Sequence, residues 1–283
     1  MNQKFDITVV VTRYKEPFDI LKSCVDSLKR QTKCKIRILF LDQQEVPLTK
    51  KYINKLTDTS HSFVYENIPA KSLSFARNLG LNKAKTNYVA FCDVDAILDK
   101  NWAFEIVKTF KSTDAVIVGT KIVPVWNGKL SWYHKSKFIQ EFFSLIDISN
   151  VIREVPKVFG ASFAIDKSRL GKHRFSESLG RVGGKLLGGE ETDLCQKLRD
   201  EKRKVVFTPF TSAGHQISPE RLTLSWILKR AYYGGFSRAL RGGKVDPLNS
   251  KKNMLDKLAI LLILPSYLFG FYKGSGFKKK NLQ

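Results

Sequence analysis

Over the first hundred residues, short apolar runs rich in β-branched side chains alternate with stretches whose apolar positions recur every three or four residues. That alternation restricts the chain to an α/β architecture. Segments 7–12 (ITVVVT), 36–42 (IRILFLD), 62–67 (SFVYEN) and 88–95 (YVAFCDVD) read as strands. The spacing of Phe18, Leu21, Val25 and Leu28 predicts a helix over 17–32, opened by a proline suited to a helix start. A second helix is predicted over 72–85, with Ser72 or Ser74 as its cap. Strand–helix–strand repeats of this kind build a mostly parallel central sheet flanked by helices, and ligands of such sheets sit at the carboxyl ends of the strands. Thr12, Asp42, Asp93 and Asp95 all fall at those ends.

Beyond residue 100 the pattern predicts a helix over 101–110, a strand over 115–125 and a strand with a turn over 159–170. A glycine-rich loop then runs into a helix over 183–204, and a last strand covers 205–210. The four cysteines are scattered without a C-x-x-C pair, which points to reduced thiols and not to a zinc knot or a disulfide framework. The amino-terminal MNQKFDITVVVTRY carries an acid and runs into a strand-like segment, so no signal peptide is expected.

The chemistry-bearing residues are acidic, in a chain whose 49 lysines and arginines against 26 acids leave a formal charge of +23. Such a charge attracts polyanions: nucleic acid, an anionic membrane face or phosphorylated ligands. Asp93 and Asp95, one residue apart at a strand end, make an oxygen-rich pair of the kind hard cations such as Mg²⁺ or Mn²⁺ prefer. GGEETD (188–193) adds Glu190 and Glu191 behind flexible glycines, where a helix macrodipole would also favour acids. A nucleic-acid-binding protein would account for the charge but not for carboxylates at strand ends. A metal-dependent nucleotidyltransferase shares the sheet and the acids, yet TRYKEP stands after the first strand where a phosphate-binding glycine loop would be.

Three segments in order carry a resemblance. ARNLGLNKAKTNYVAFCDVDAIL (76–98) resembles the Arg-Asn-x-Gly helix and D-x-D strand of family 2 glycosyltransferases; VVVTRYKEPFDILKSCVDSLKRQT resembles that family's first strand, loop and helix; and GGEETDLCQKLRDEKRKVVFTP, followed by AGHQ, resembles its later acidic segment. The match runs over roughly residues 5 to 240 and implies a GT-A (Rossmann-like) fold and an inverting transfer of a sugar from a nucleotide-sugar donor. A divalent cation, Mn²⁺ or Mg²⁺, would neutralise the departing diphosphate. By position, the resemblance assigns metal contact to Asp95, with Asp93 on the ribose or the metal's water shell and His215 as a further ligand. It assigns Thr12, Tyr14 and Asp42 to the nucleobase and Arg77 to the donor, the alternative for Arg77 being a salt bridge beneath the site. Glu191 becomes the base that takes the acceptor proton, with Glu190 beside it. Glu191 stands where the family usually has aspartate, and Gln43 and Gln44 replace a more usual second acid, so UDP is a default donor nucleotide.

From Arg221 onward 13 basic residues stand against 2 acidic ones. The sequence therefore divides into a catalytic unit over 1–220, with a nucleotide half at 1–98 and an acceptor half at 99–220, and a basic helical extension over 221–283. SWILKRAYYGGFSRALRGGK offers Arg230, Arg238 and Arg241 to an acceptor or donor diphosphate. LAILLILPSYLFGFY (258–272) is uncharged and interrupted by Pro265; as a helix of about 22 Å it falls short of a bilayer core. It reads as an interfacial or re-entrant membrane anchor within 255–273, with a buried core helix second and a spanning helix third. Together these features suit a protein at the cytoplasmic membrane face whose partners are a nucleotide sugar, a glycan or lipid-linked glycan acceptor and an anionic membrane surface, with no nucleic acid.

Overall fold

A computed structural model describes residues 5–56, 60–182, 185–243 and 253–280. In chain order the elements are β1 (Ile7–Arg13), α1 (Phe18–Lys29), β2 (Ile36–Asp42), α2 (Pro47–Asn54), β3 (Ser62–Asn67), α3 (Leu73–Lys83), β4 (Tyr88–Asp93) and β5 (Ala96–Leu98). They continue with α4 (Trp102–Ser112), β6 (Ile117–Trp126), α5 (Lys137–Gln140), β7 (Arg153–Glu154), β8 (Ser162–Asp166) and α6 (Lys167–Leu170). The last four are α7 (Glu190–Asp200), β9 (Val205–Ile217), α8 (Leu224–Leu240) and α9 (Met254–Lys280).

Among the described residues one sheet forms, in the order β3-β2-β1-β4-β8-β6-β9-β5, with β7 added against β9. β3, β2, β1 and β4 run parallel. At β8 the direction reverses, because β8 pairs antiparallel with both β4 and β6. Alternation along each strand splits the core between two faces. Val9, Val11, Ile38 and Phe40 pack with Leu21, Val25, Trp102 and Phe110 of α1 and α4. On the other face Val10, Leu41, Phe91 and Phe163 pack with Ala76, Leu81, Leu194 and Leu198 of α3 and α7.

Four differences from the sequence reading have local causes. The strand expected over 88–95 ends at Asp93; Asp95 lies in a turn, after which β5 pairs antiparallel with β9. α2 is an additional helix, with Pro47 among its first positions. β9 continues past Pro209 to Ile217, because the extra residues are absorbed as an irregularity opposite Thr120 and Lys121 of β6. The expected break at Pro265 does not occur: α9 runs unbroken from Met254 to Lys280. An interior proline costs about 3 kcal/mol, which packing along α8 offsets.

That packing forms a third core cluster, in which Ile227 and Ala231 of α8 meet Ala259 and Ile263 of α9 around Phe143 and Ile139. The two helices touch backbone to backbone. A Cβ on Gly270 would collide with the Tyr232 carbonyl, and one on Gly235 with the Tyr267 carbonyl. Ser266 Oγ donates to Leu228 O at 2.9 Å, and Asp256 accepts from Ser136 Oγ at 2.6 Å, fixing the start of α9. Along the opposite side of α9, Leu258, Leu261, Leu268, Phe269, Tyr272 and Phe277 are exposed. Part of the uncharged segment is thus core and part faces outward.

Substituting Gly270→Ala should separate the helices and cost about 1–3 kcal/mol. Gly276→Ala, where an added Cβ meets nothing within 4 Å, should be neutral or stabilising by up to about 1 kcal/mol. Urea unfolding midpoints of the two variants against wild type check both outcomes.

Candidate active site

The carboxyl ends of β1 and β4 and the amino end of α7 surround a cavity of about 560 Å³, within the range of small-ligand sites. Its walls include Thr12, Tyr14, Arg77, Asp93, Asp95, Glu190, Glu191, Arg230 and Arg241. The structure brings most of the residues singled out by sequence to one space.

Arg77 lies at its centre. Ser72 caps α3, its hydroxyl accepting from the Phe75 amide at 3.1 Å, and the helix carries Arg77 into the gap between β4 and α7. The guanidinium, 1% exposed, donates through Nη1 to Glu190 Oε1 at 2.8 Å and Glu191 Oε1 at 2.7 Å. Through Nη2 it donates to Asp93 Oδ1 at 3.1 Å and the Gly160 carbonyl at 3.2 Å. Burial opposes its charge, but Glu191, Asp93 and Glu190 outweigh that and hold its pKa above the ordinary value. Asn78, the next residue, donates to the Phe175 carbonyl at 2.9 Å and accepts from the Phe175 amide at 3.0 Å, tying α3 to the loop that carries Arg181. At Gly160 an added Cβ would collide with Glu191 Oε1, so this position keeps the Arg77–Glu191 contact open.

The two glutamates differ. Both stand in the first turn of α7, where the macrodipole favours negative charge. The side chain of Glu190 is 3% exposed and that of Glu191 12%. Burial and the adjacent Glu191 charge push the Glu190 carboxyl up to about 7, against the pull of Arg77. Its Oε2 is buried without a hydrogen-bond partner among the described residues. Both line the cavity, and Glu191 is the more exposed of the two.

On the other side stands Asp95. The register pairing Ala96 with His215 sets His215 beside it. Asp95 Oδ2 lies 3.2 Å from His215 Nε2 and accepts from Arg221 Nη1 at 3.1 Å. Although burial works in the opposite sense, His215 and Arg221 hold the Asp95 pKa well below the usual carboxylate range. Asp93 and Asp95 are therefore engaged by different cations. Among the described residues no cluster of three or more His, Cys, Asp or Glu side chains forms a metal cage. A divalent ion still fits with protein ligands from Asp95 and His215. Asp95 Oδ1 is buried with no partner among the described residues, and His215 Nδ1 donates to the Phe143 carbonyl at 2.6 Å, the second contact that orients a metal-binding imidazole.

Other assignments shift. Asp42 is fully buried, paired with Arg13 at 3.1 Å and accepting from Tyr65 Oη at 3.2 Å; it lies behind the cavity, and Gln43 lines it instead. Arg230 and Arg241 reach the cavity, while Arg238 is not part of its lining. Added Cβ atoms on Gly188 and Gly189 would approach Arg230 at 3.4 Å and Arg241 at 3.0 Å, so the glycines let both guanidinia lie against the start of α7. Burial and the nearby Arg181 push the Arg230 pKa down to about 10. Residues not singled out by sequence add to the wall, with Lys71, Lys157 and Arg181 as cations, and Arg221 pairs with Asp95 from outside the lining. Their signal was only the general basic excess.

A parallel sheet that reverses at β8, with acids and cations gathered at its carboxyl edge, is the GT-A architecture of nucleotide-dependent transferases. The protein belongs to glycosyl transferase family 2, whose model matches residues 8–178, and it is an enzyme of that class. Among curated proteins it is 21% identical over 241 residues to the glucosyl-dolichyl phosphate glucuronosyltransferase of Haloferax volcanii, covering 82% of this chain and 76% of that one. It is 22% identical over 239 residues to the succinoglycan biosynthesis protein ExoM of Rhizobium meliloti, covering 83% and 74%. Among solved structures it is similar to the mannosyltransferase PcManGT from Pyrobaculum calidifontis in complex with GDP-Man and Mn²⁺, with TM-score 0.61, 17% identity and coverage of 97% and 76%. It is similar also to GalNAc-T7 with UDP, GalNAc and Mn²⁺, with TM-score 0.59, 18% identity and coverage of 86% and 51%.

Arg77→Met should leave three carboxylates around an uncharged side chain and cost about 3–5 kcal/mol in chemical denaturation. Glu190 makes a pH-specific contribution. A carboxyl whose pKa rises from 4.5 to about 7 on folding binds its proton more tightly in the native state. Stability from this group is therefore present below pH 4.5, falls as pH rises to 7 and is level above. Glu190→Gln should flatten that fall in urea midpoints measured between pH 4.5 and 7.

Proposed function

We propose that the enzyme transfers a sugar from a nucleoside-diphosphate sugar to a hydroxyl of a glycan or lipid-linked glycan, with inversion at the anomeric carbon. The observation that carries the reading is the cavity in which Glu191, held by Arg77, shares the wall with Asp93 and Asp95. In the reaction the acceptor oxygen forms a bond to the anomeric carbon, the bond from that carbon to the phosphate oxygen breaks, and the acceptor proton passes to a carboxylate. Glu191 is that base, because it is the more exposed of the two glutamates in the cavity wall, while Glu190 is buried and carries a raised pKa. Arg77 orients the Glu191 carboxylate and keeps its charge tolerable beside Asp93.

The departing diphosphate gains negative charge, and cations placed for it lower the barrier. A divalent ion held by Asp95 and His215 would supply part of that charge as a Lewis acid. Arg230 and Arg241 lie across the cavity from that edge and suit a phosphate of the donor or of a lipid-linked acceptor. Thr12, Tyr14 and Gln43 offer the nucleotide wall, with Asp42 acting from behind by fixing Arg13. The relatives support this reading through their names, one acting on a glucosyl-dolichyl phosphate and one in succinoglycan synthesis. The solved neighbours support it through UDP, GDP-Man and Mn²⁺.

We place the enzyme on a membrane surface through α9. By length and composition α9 could cross a membrane, but one side is committed to α8 through Ala259, Ile263 and Ser266. The outward stripe from Leu258 to Phe277, with Lys257, Lys273 and Lys279 also exposed, fits a helix lying in an anionic interface.

Calorimetric titration with UDP-, GDP- and dTDP-sugars, with and without Mn²⁺, should find one nucleotide whose binding needs metal and is lost in Asp95→Asn. Absence of binding by every donor rejects the transferase reading of the cavity. Glu191→Gln should retain donor binding and lose about 10²–10⁴-fold in kcat. For the membrane, flotation with vesicles containing phosphatidylglycerol should recover wild type and lose the double variant Leu261→Glu, Phe269→Glu; equal recovery of both removes α9 from the interface.

A further inference from the structure

Arg221 is not accounted for by the assignments above. It sits on a short turn of 3₁₀ helix (Pro219–Leu222) directly after β9. Its Nη1 donates to Asp95 Oδ2 at 3.1 Å and reaches His215 Nε2 at 3.4 Å. Because the Phe143 carbonyl can only accept, His215 Nδ1 carries a proton. Nε2 is then the ring nitrogen that faces Asp95 Oδ2, at 3.2 Å. One guanidinium nitrogen therefore covers an oxygen of Asp95 and lies against Nε2 of His215, the two groups through which this chain would ligate a divalent ion.

The rest of the side chain is poorly satisfied where it lies. Arg221 Nε is buried with no partner among the described residues, and the guanidinium rests on the Trp226 ring at 5.2 Å. Burial and the nearby Arg181 both act against its charge, with Asp95 acting in its favour. An arginine held by one carboxylate and repelled by a neighbouring arginine gains when an anion arrives between them.

Resting on the metal-assisted reading of the site, we infer that Arg221 is an internal placeholder for the metal. In the nucleotide-free enzyme it occupies Asp95 and His215 and disfavours cation binding. A bound diphosphate offers the guanidinium a new partner, so that it releases those ligands and the divalent ion enters. Metal and nucleotide are thereby coupled: each makes room for the other through one side chain.

The test measures Mn²⁺ itself, by the electron paramagnetic resonance signal of the free ion, titrated into wild type and Arg221→Gln with UDP or GDP present or omitted. Without nucleotide, Arg221→Gln should bind Mn²⁺ about tenfold more tightly than wild type, the size expected for removing one charge-assisted contact. Asp95→Asn should abolish binding in both backgrounds. Arg221→Lys keeps a charge but, with a shorter and more strongly hydrated head, loses the stacking on Trp226 that holds the guanidinium over both ligands, and should bind with intermediate affinity; it serves if the glutamine variant does not fold. Equal nucleotide-free affinities in wild type and either Arg221 variant overturn the placeholder while leaving the metal site standing. If no protein binds Mn²⁺ even with nucleotide, the metal reading fails and the placeholder with it.

Discussion

One buried guanidinium organises the site. Arg77 is placed by α3, and its hydrogen bonds reach the last residue of β4, the first turn of α7 and the Gly160 carbonyl before β8. Three carboxylates this close to one another would repel and would be costly to bury alone. A single cation with a planar fork can satisfy all three, which a lysine ammonium with its point charge would do less well. The cost of the arrangement shows in Glu190, whose pKa burial and the adjacent Glu191 charge raise against the pull of Arg77. The site is thus a balance of charge, with Arg77 shared, Glu190 inclined to hold its proton and Glu191 left facing the cavity.

A second balance lies across the cavity. Asp95 is held strongly ionised by His215 and Arg221, with Arg181 nearby. Arg230 and Arg241 instead lie against the start of α7, beside Glu190 and Glu191. Each group of acids in the cavity wall therefore has its own cations. The general basic excess of the chain enters the cavity walls through Lys71, Lys157, Arg181, Arg230 and Arg241.

Much of this was legible in the sequence because it depends on short-range patterns. The strands 36–42 and 62–67 appear with the expected bounds, since β-branched runs between turns leave few alternatives. Asp93, Asp95, Glu190, Glu191 and Arg77 were found through motif spacing and converge as a group. Other elements depend on partners distant in sequence. Asp42 looked like a nucleobase contact from its place at a strand end, but Arg13 and Tyr65 bury it. Pro265 looked like a helix break, yet α8 supplies enough packing to carry α9 through it.

The sequence by itself determined the class of fold, the order of its elements and the acidic residues at the strand ends, because local periodicity and motif spacing are properties of neighbouring residues. Only the tertiary structure decided which cation each acid meets. Arg77 and Glu190 are 113 positions apart, and Arg221 and Asp95 are 126 apart. Such pairings are set by sheet order and strand register, through which β5 brings Asp95 to His215 and α3 brings Arg77 to α7. No local pattern encodes those distances, so the charge balance of the site exists only once the sheet has closed.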